Sequence, residues 1–516
     1  MGSTDGERGT IEREVKLAVG PDFVVPALPS AGTDGTLSVL ELRAAYLDTA
    51  DLRLWDRGIT LRHRTGEGPA GGVWTMKLPT DGAGVTLDRT ELTWAGDARA
   101  VPDAAAAIVA GLVRRSPLVT VTELSTRRRR TALTGADGAT WAELDDDSVT
   151  VTGGPHDGLR FRQLEVELTH GVDAGLGAGL DDVVARLRAA GAEPDNRPKL
   201  GRALGVAPPA ATRPTALDGR SSVGEVVRAS IADALERLLD HDYRLRAAAS
   251  DPSSHDVHQA RVATRRLRSD LGTFSAVVDP VWLGHTRDEL RWLGELLGRV
   301  RDADVLAGHL DADWERSPGD DAGRDELRAL LGEERADLAA DLAAALASDR
   351  SVALLDRLHA AAGRPPLTAG RVDGRRVRPD DRAGKVVPAM VGVRWRALRR
   401  RVRKAGRHPT DRQLHRIRIG AKQLRYAAEA AVPVIGKPAR RTAAAAEALQ
   451  TVLGEQHDAV GAEAWLRQRA VDGSPDAVAT AGRLVAVQQR RQLEYRGEWR
   501  TEWSTLARKK RTAWLG

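Results

Sequence analysis

The feature that most restricts the fold is a cationic helix written twice. In 258–271, at about 3.6 residues per turn, His258, Arg261, Arg265 and Arg268 form one narrow stripe. Ala260, Ala263, Leu267, Leu271 and Phe274 fall on the opposite side and can be buried. The spacing returns in 414–426, where His415, Arg418, Lys422 and Arg425 take the same positions. One such stripe is ordinarily a solvated face. Two, each headed by histidine, imply repeated geometry, and repeated cationic geometry implies a polyanion. A second segment repeats as well: Leu297, Gly298 and Asp302 recur as Leu453, Gly454 and Asp458. Each half therefore reads as one helical bundle. A pseudo-twofold axis between them would bring both stripes to the rim of one groove.

Helical periodicity runs from about residue 220 onward, in segments near 221–249, 253–277, 281–311, 321–347, 350–362, 384–405, 410–430, 438–454, 456–471 and 476–508. The loop 363–375 separates halves at about 219–362 and 384–510 within a helical domain at 219–510. Ahead of it, the Pro- and Ala-rich stretch within 206–218 reads as a linker. Residues 1–10 are polar and read as a disordered N-terminus, which leaves 11–205 as a first domain. A length of 516 residues agrees with at least two domains. The absence of cysteine excludes disulfides, thiolate metal sites and a cysteine nucleophile. No apolar run of about 18 residues occurs, so no membrane partner is expected and the expected location is cytoplasmic.

The first domain alternates instead of following a helical period. Runs of strand type lie at 11–17, 39–48, 58–65, 72–78, 84–94, 119–133, 139–151 and 160–170, several separated by Asp-Gly or Gly-Gly turns. About eight strands with few helices between them predict an antiparallel sheet or closed barrel. The polar faces of these strands are charged. Glu12, Glu14 and Lys16 share a face, as do Arg62 and Arg64, Arg89 and Glu91, Glu143 and Asp145, and Glu165 and Glu167. Lys77 adds a cation in the strand between. The run Arg127–Arg130 admits two registers, and alternation with Thr131 favours Arg127 and Arg129 as the inward pair. On one strand this would be a solvated ladder; on most of them it predicts a polar lumen. Carboxylates suit Mg²⁺ or Mn²⁺, and Arg and Lys suit phosphate oxygens.

These residues also carry two resemblances. Glu12-x-Glu14-x-Lys16, Tyr46-Leu-Asp-Thr49, Leu61-Arg62-x-Arg64, Trp74-x-x-Lys77, the arginine run after Ser125 and Leu164-Glu165-x-Glu167 resemble the CYTH domain of the triphosphate tunnel metalloenzymes. His258-x-x-Arg261-Val-x-x-Arg265-Arg266-Leu-Arg268 and its second copy resemble the CHAD domain, an α-helical fold named for its histidines. Together they imply an α+β multidomain chain: an N-terminal eight-stranded antiparallel β-barrel forming a tunnel, then a duplicated all-α bundle. The first resemblance implies metal ligation by Glu12, Glu14, Glu165 and Glu167, with Asp145 or Glu143 contributing. It implies phosphate binding by Lys16, Arg62, Arg64, Lys77, Arg127, Arg129 and Lys199, with catalysis resting on Glu12, Glu14, Lys77, Glu165 and Glu167. The second implies inorganic polyphosphate binding by His258, Arg261, Arg265, Arg266 and Arg268 and by His415, Arg418, Lys422 and Arg425. The second copy departs from the first in carrying Lys422 and Gln423 where the first has Arg265 and Arg266.

The expected activity is metal-dependent hydrolysis of triphosphate or polyphosphate, with the helical domain binding polyphosphate and localising the chain to polyphosphate granules. Adenylate cyclase or thiamine triphosphatase chemistry in the same tunnel, and a non-catalytic polyphosphate receptor, are the alternatives. Nucleic acid is disfavoured, because Trp282, Trp292, Trp395, Trp465, Trp499 and Trp503 are not interleaved with the His/Arg stripes as stacking platforms would be.

Overall fold

Strands that alternate apolar and charged residues have two faces to bury, and the first part of the chain buries both. The structure, a computed structural model, describes residues 10–28, 38–80, 87–135, 138–169, 177–195, 197–207, 216–248, 250–316, 321–471 and 473–515. Residues 1–9, most of the expected linker and the side chain of Glu12 lie outside this description. The chain divides into two compact units, Met1–Thr212 and Arg213–Gly516.

The first unit contains β1 (Thr10–Val19), β2 (Ser38–Asp48), β3 (Thr60–Thr65), β4 (Val73–Pro79), β5 (Leu87–Ala95), α1 (Asp103–Val113), β6 (Val119–Thr134), β7 (Thr140–Gly153), β8 (Arg160–Leu168), α2 (Gly177–Ala189), β9 (Glu193–Pro194) and α3 (Lys199–Leu204). The sheet order is β5-β4-β3-β2-β6-β7-β8-β1-β9. It thus has nine strands where eight were expected; the ninth is a two-residue strand paired with Leu17 and Ala18 of β1. β1 also has two long neighbours. Glu14–Val19 pairs with β8, and Thr10–Glu14 pairs with β5.

One face of the sheet is covered by α2. Leu17, Leu133, Leu144, Leu164 and Val166 pack there against Leu180, Val183 and Leu187. The other face is apolar at one end, where Tyr46, Leu124, Val149 and Val151 meet Trp55 and the α3 residues Leu200, Ala203 and Leu204. Burying each of these large side chains stabilises the fold by about 1.5–3 kcal/mol. Trp55 is held by Asp48, whose carboxylate accepts backbone N–H bonds from Thr49, Leu54 and Trp55 at 2.6, 2.9 and 2.8 Å. A Cβ at position 201 would lie 2.5 Å from the Trp55 ring, so Gly201 lets α3 settle on the indole. That docking delivers Lys199, at the start of α3, to the polar part of the same face.

The second unit is helical: α4 (Val223–Ala248), α5 (Ser254–Thr273), α6 (Pro280–Arg316), α7 (Asp321–Ala347), α8 (Asp349–Gly363), a small hairpin β10 (Gly370–Val372) and β11 (Arg375–Val377), then α9 (Ala383–Ala405), α10 (Asp411–Ile435), α11 (Lys437–Arg469), α12 (Pro475–Leu506) and α13 (Lys509–Thr512). The two segments expected at 438–454 and 456–471 are one helix, α11. Packing repeats in order: α4 on α5, α5 on α6 and α6 on α7, then α9 on α10, α10 on α11 and α11 on α12. The two repeats meet reciprocally. Val223 N–H donates to the Asp381 carbonyl at 3.0 Å, and Ala383 N–H donates to the Ser221 carbonyl at 2.8 Å. Among the described residues no helix is long and apolar enough to cross a membrane.

Candidate functional site

The polar part of the inner sheet face encloses a cavity of about 340 Å³. Cross-strand register builds its wall. Glu14 on β1 is opposite Glu167 on β8, and Glu167 is opposite Glu143 on β7, so three carboxylates stand in one row. The next row is Lys16, Glu165 and Asp145, with Arg130 of β6 beside Asp145. Like charges directly across a ladder repel, so these rows require cations. Lys16 Nζ lies 2.6 Å from both Glu14 and Glu165. Lys199 Nζ lies 2.8 Å from Glu165 and 2.7 Å from Asp147. Arg128 makes a bidentate pair with Asp147 at 2.8 Å and also reaches Asp145 and Glu165. Arg130 grips Asp145 at 2.8 and 3.1 Å, Glu143 at 3.1 Å and Glu67 at 3.0 Å.

Across the cavity, β3 and β4 supply mostly positive charge and β2 supplies the Tyr46 hydroxyl. Arg62 Nη1 approaches the Tyr46 hydroxyl at 3.5 Å, Lys77 pairs with Glu91 at 3.2 Å, and Arg64 pairs with Glu67 at 3.2 Å. The Arg64 Nε is buried without a hydrogen-bond partner. Burial and the neighbouring Arg62 guanidinium lower the Arg64 pKa. For Glu165, burial works against the charged form, yet Lys16, Lys199 and Arg128 hold its carboxyl well below the usual range. Burial likewise opposes the Lys16 ammonium, and Glu14 with Glu165 holds it above its ordinary value. The result is a partly desolvated chamber of fixed, ionised groups.

The donor set fits a hard divalent cation. Glu14, Glu143, Glu165 and Glu167 offer carboxylate oxygens on one wall. Among the described residues no three such side chains converge tightly enough to hold an ion as they stand.

The helical unit has a second, larger cavity, of about 680 Å³. Arg261, Arg265 and Arg268 of α5 line it together with Lys422 and Tyr426 of α10, and Arg287 and Arg394 join from α6 and α9. The repeated glycine and aspartate explain how the arginines are held. Arg261 donates to Asp302 at 2.9 Å beside Gly298, and Arg418 pairs with Asp458 at 3.5 Å beside Gly454. Buried Nε groups of Arg265, Arg287 and Arg418 have no hydrogen-bond partner. Burial, then Arg418, Arg265 and Arg261, push the Lys422 ammonium down to about 7. Buried cations facing one another without enough carboxylate make a site for an anion.

Sequence comparison bears on both cavities. The CYTH domain model matches residues 10–196 and the CHAD domain model matches residues 229–467. The uncharacterized protein Rv2226 of Mycobacterium tuberculosis (strain ATCC 25618 / H37Rv) is 33% identical over 460 residues, 84% of this chain and 82% of its own length. The chain belongs to the CYTH–CHAD proteins. Among solved structures, the CHAD domain of Ricinus communis is 25% identical, covering 58% of this chain and 96% of its own, with a TM-score of 0.44. PptA from Streptomyces chartreusis is 20% identical, covering 55% of this chain and 100% of its own, at a TM-score of 0.45. A Hippeastrum protein described with a dominant triphosphatase activity is 15% identical, covering 37% of this chain and 93% of its own, at a TM-score of 0.24.

In the CYTH unit the structure gathers Glu14, Lys16, Arg62, Arg64, Lys77, Glu165, Glu167 and Lys199 around one cavity. Glu12 is on β1 opposite Arg89. Arg127 and Arg129 are corrected: both are exposed on the outer face, while Arg128 is buried and Arg130 lines the cavity. Thr131 shares their outward parity, so a polar neighbour was a poor guide on a strand polar on both faces. Leu124, buried at the inner end, carries the true register. Asp145 is buried behind Arg128 and Arg130, and Glu143 occupies the wall in its place. Glu67, Arg89, Glu91 and Asp147 complete the charge set. Of these, Glu67 sits in a turn, where alternation carries no signal.

In the CHAD unit Arg266 is corrected too. It turns from the α5 stripe toward Glu429, at 3.0 Å, and Asp270. Arg425 is engaged by Glu429 and Glu447, both at 2.8 Å. His258 is half-buried and His415 lies 4.5 Å, ring to ring, from His457; neither lines the cavity. The shared cavity is therefore built by Arg261, Arg265 and Arg268 of one stripe and Lys422 of the other, and not by the histidine heads.

Proposed function

We propose that the CYTH unit hydrolyses a phosphoanhydride in inorganic triphosphate or polyphosphate. The observation that carries this reading is the opposition of carboxylate rows on β1, β7 and β8 to cations from β3, β4, β6 and α3 around one chamber. The β1–β5 pairing joins the two ends of the eight long strands, so the chamber is read as a closed tunnel. Phosphoryl transfer asks mainly for positioning and charge neutralisation. Arg62, Arg64, Lys77, Arg128, Arg130 and Lys199 would clamp phosphate oxygens along the tunnel. Glu14, Glu165 and Glu167, with Glu143, would hold Mg²⁺ or Mn²⁺, which supplies Lewis-acid activation and neutralises the scissile group. Lys16 fixes Glu14 and Glu165 in place through its two short contacts. No step requires a nucleophilic side chain.

The CHAD unit is read as the binder of inorganic polyphosphate, gripping it with Arg261, Arg265, Arg268 and Lys422 in a cavity shared by two halves related by a pseudo-twofold axis. A chain held there raises the local concentration of phosphoanhydride ends for the tunnel. The test is phosphate release from tripolyphosphate, long polyphosphate, thiamine triphosphate and ATP with Mg²⁺ or Mn²⁺. Tripolyphosphate turnover in the full chain, abolished by Glu167→Gln, is the expected result. Conversion of ATP to a cyclic product with no release from tripolyphosphate overturns the reading. In Arg265→Ala/Lys422→Ala, long-chain turnover should fall while tripolyphosphate turnover is kept; equal losses on both substrates refute the binding role.

A further inference from the structure

A third depression, of about 410 Å³, lies where α9 meets α12 and α13, apart from both cavities. Its floor is an indole pair: Trp395 and Trp503 stack with ring centroids 5.4 Å and planes 29° apart. Trp395 is buried and backs half-buried Trp503, so the outer indole is held in place before any ligand arrives. Arg399, Val402 and Arg403 follow Trp395 on the same face of α9 at helical spacing. Lys509 closes the opposite rim from α13, and no carboxylate lines the groove. Among the described residues Arg399, Arg403, Lys509 and Lys510 make no ion pair. The rim is nonetheless fixed in place: Trp514 Nε1 donates to Thr442 Oγ1 at 2.8 Å, and Leu515 is fully buried.

An inorganic polyanion would use the cations and gain nothing from the indoles. A nucleobase uses both, because its π face stacks on tryptophan while the flanking phosphates meet Arg and Lys. We propose that this groove binds single-stranded nucleic acid, stacking a base on Trp503 and seating phosphates on Arg399, Arg403 and Lys509. The site is separate from the polyphosphate cavity and would give this chain a second class of polyanion partner.

The test uses the full chain, a fluorescein-labelled short oligothymidine and an abasic strand of the same length, read by anisotropy at fixed salt. Trp503→Ala should weaken oligothymidine binding by about 5- to 100-fold, and Trp503→Phe should restore most of it. Arg399 is exposed, so Arg399→Ala leaves the fold intact; it should reduce the slope of log K against log salt by about 0.7. Inorganic polyphosphate binding should be unchanged in these variants. Equal affinity for the abasic strand overturns the proposal, as does unchanged affinity in both Trp503→Ala and Arg399→Ala. Strand binding lost in Lys422→Ala instead would place the strand in the central cavity, which also overturns it.

Discussion

Polyphosphate binding to the CHAD cavity should take up a proton at alkaline pH, and Lys422 should be the group that takes it. Its ammonium is pushed down to about 7 by burial and by Arg418, Arg265 and Arg261. At pH 8.5 the free protein therefore carries this lysine mostly neutral. Phosphate oxygens entering beside it reverse the local sign and raise its pKa. Binding at pH 8.5 then requires about one proton per complex, and affinity falls by up to about tenfold per pH unit above 7. Below pH 7 the lysine is already charged, and this contribution to the pH dependence disappears. His258, His415 and His457 do not line the cavity, and burial and nearby cations hold each below its ordinary value, so the proton is expected on Lys422. Titration calorimetry in two buffers of different ionisation enthalpy reads the proton count directly. Lys422→Arg keeps its charge at both pH values, so its uptake at pH 8.5 should be near zero. Equal uptake by wild type and Lys422→Arg, or none by wild type, refutes the reasoning.

Four further outcomes follow from the charge networks. Glu167→Gln should cut kcat/KM on tripolyphosphate by at least about 100-fold with little change in Tm. Glu165→Gln should also lose about 3–5 kcal/mol of stability in urea titrations, because it breaks a buried cluster with Lys16, Lys199 and Arg128. Arg128→Met should destabilise by a similar amount of about 3–5 kcal/mol, because it removes the buried cation that Asp145, Asp147 and Glu165 share; exposed Arg127→Met should leave both stability and turnover unchanged. Asp270, buried beside Arg266, has its carboxyl pushed up to about 7 by burial. A raised folded-state pKa stabilises below the unfolded value near 4, and that contribution is lost as pH rises to about 7. Asp270→Asn should therefore flatten the urea midpoint across this window, and an unchanged slope would count against the assignment.

Much of this was legible because helices and strands have different periods. The cationic stripe of α5, its return in α10 and the Leu-Gly…Asp echo needed only counting. The partnership of Arg261 with Asp302 and of Arg418 with Asp458 then emerged as the physical content of that echo. Periodicity failed where both faces of an element were polar or both were buried. On β6, Leu124 is buried on the inner face and Leu133 on the outer, so neither charge nor hydrophobicity alone fixed the parity of the arginines between them. On α5, Arg266 lies one residue off the stripe, and only tertiary contact with Glu429 reveals that it faces away. Glu67 was invisible because a turn residue joins a strand-lined chamber by the path of the backbone and not by alternation.

That turn bears on how the chamber meets an anion. Gly66, Gly68 and Gly72 all have positive φ, at 99°, 82° and 89°, and the bend they form carries Glu67 between Arg64 and Arg130. The two guanidinium groups thus already face an internal anion. An incoming phosphate group competes there with a tethered carboxylate, so its residence reports a contest between two anions. Weak monoanions should lose that contest, and a multiply charged oligophosphate should win it.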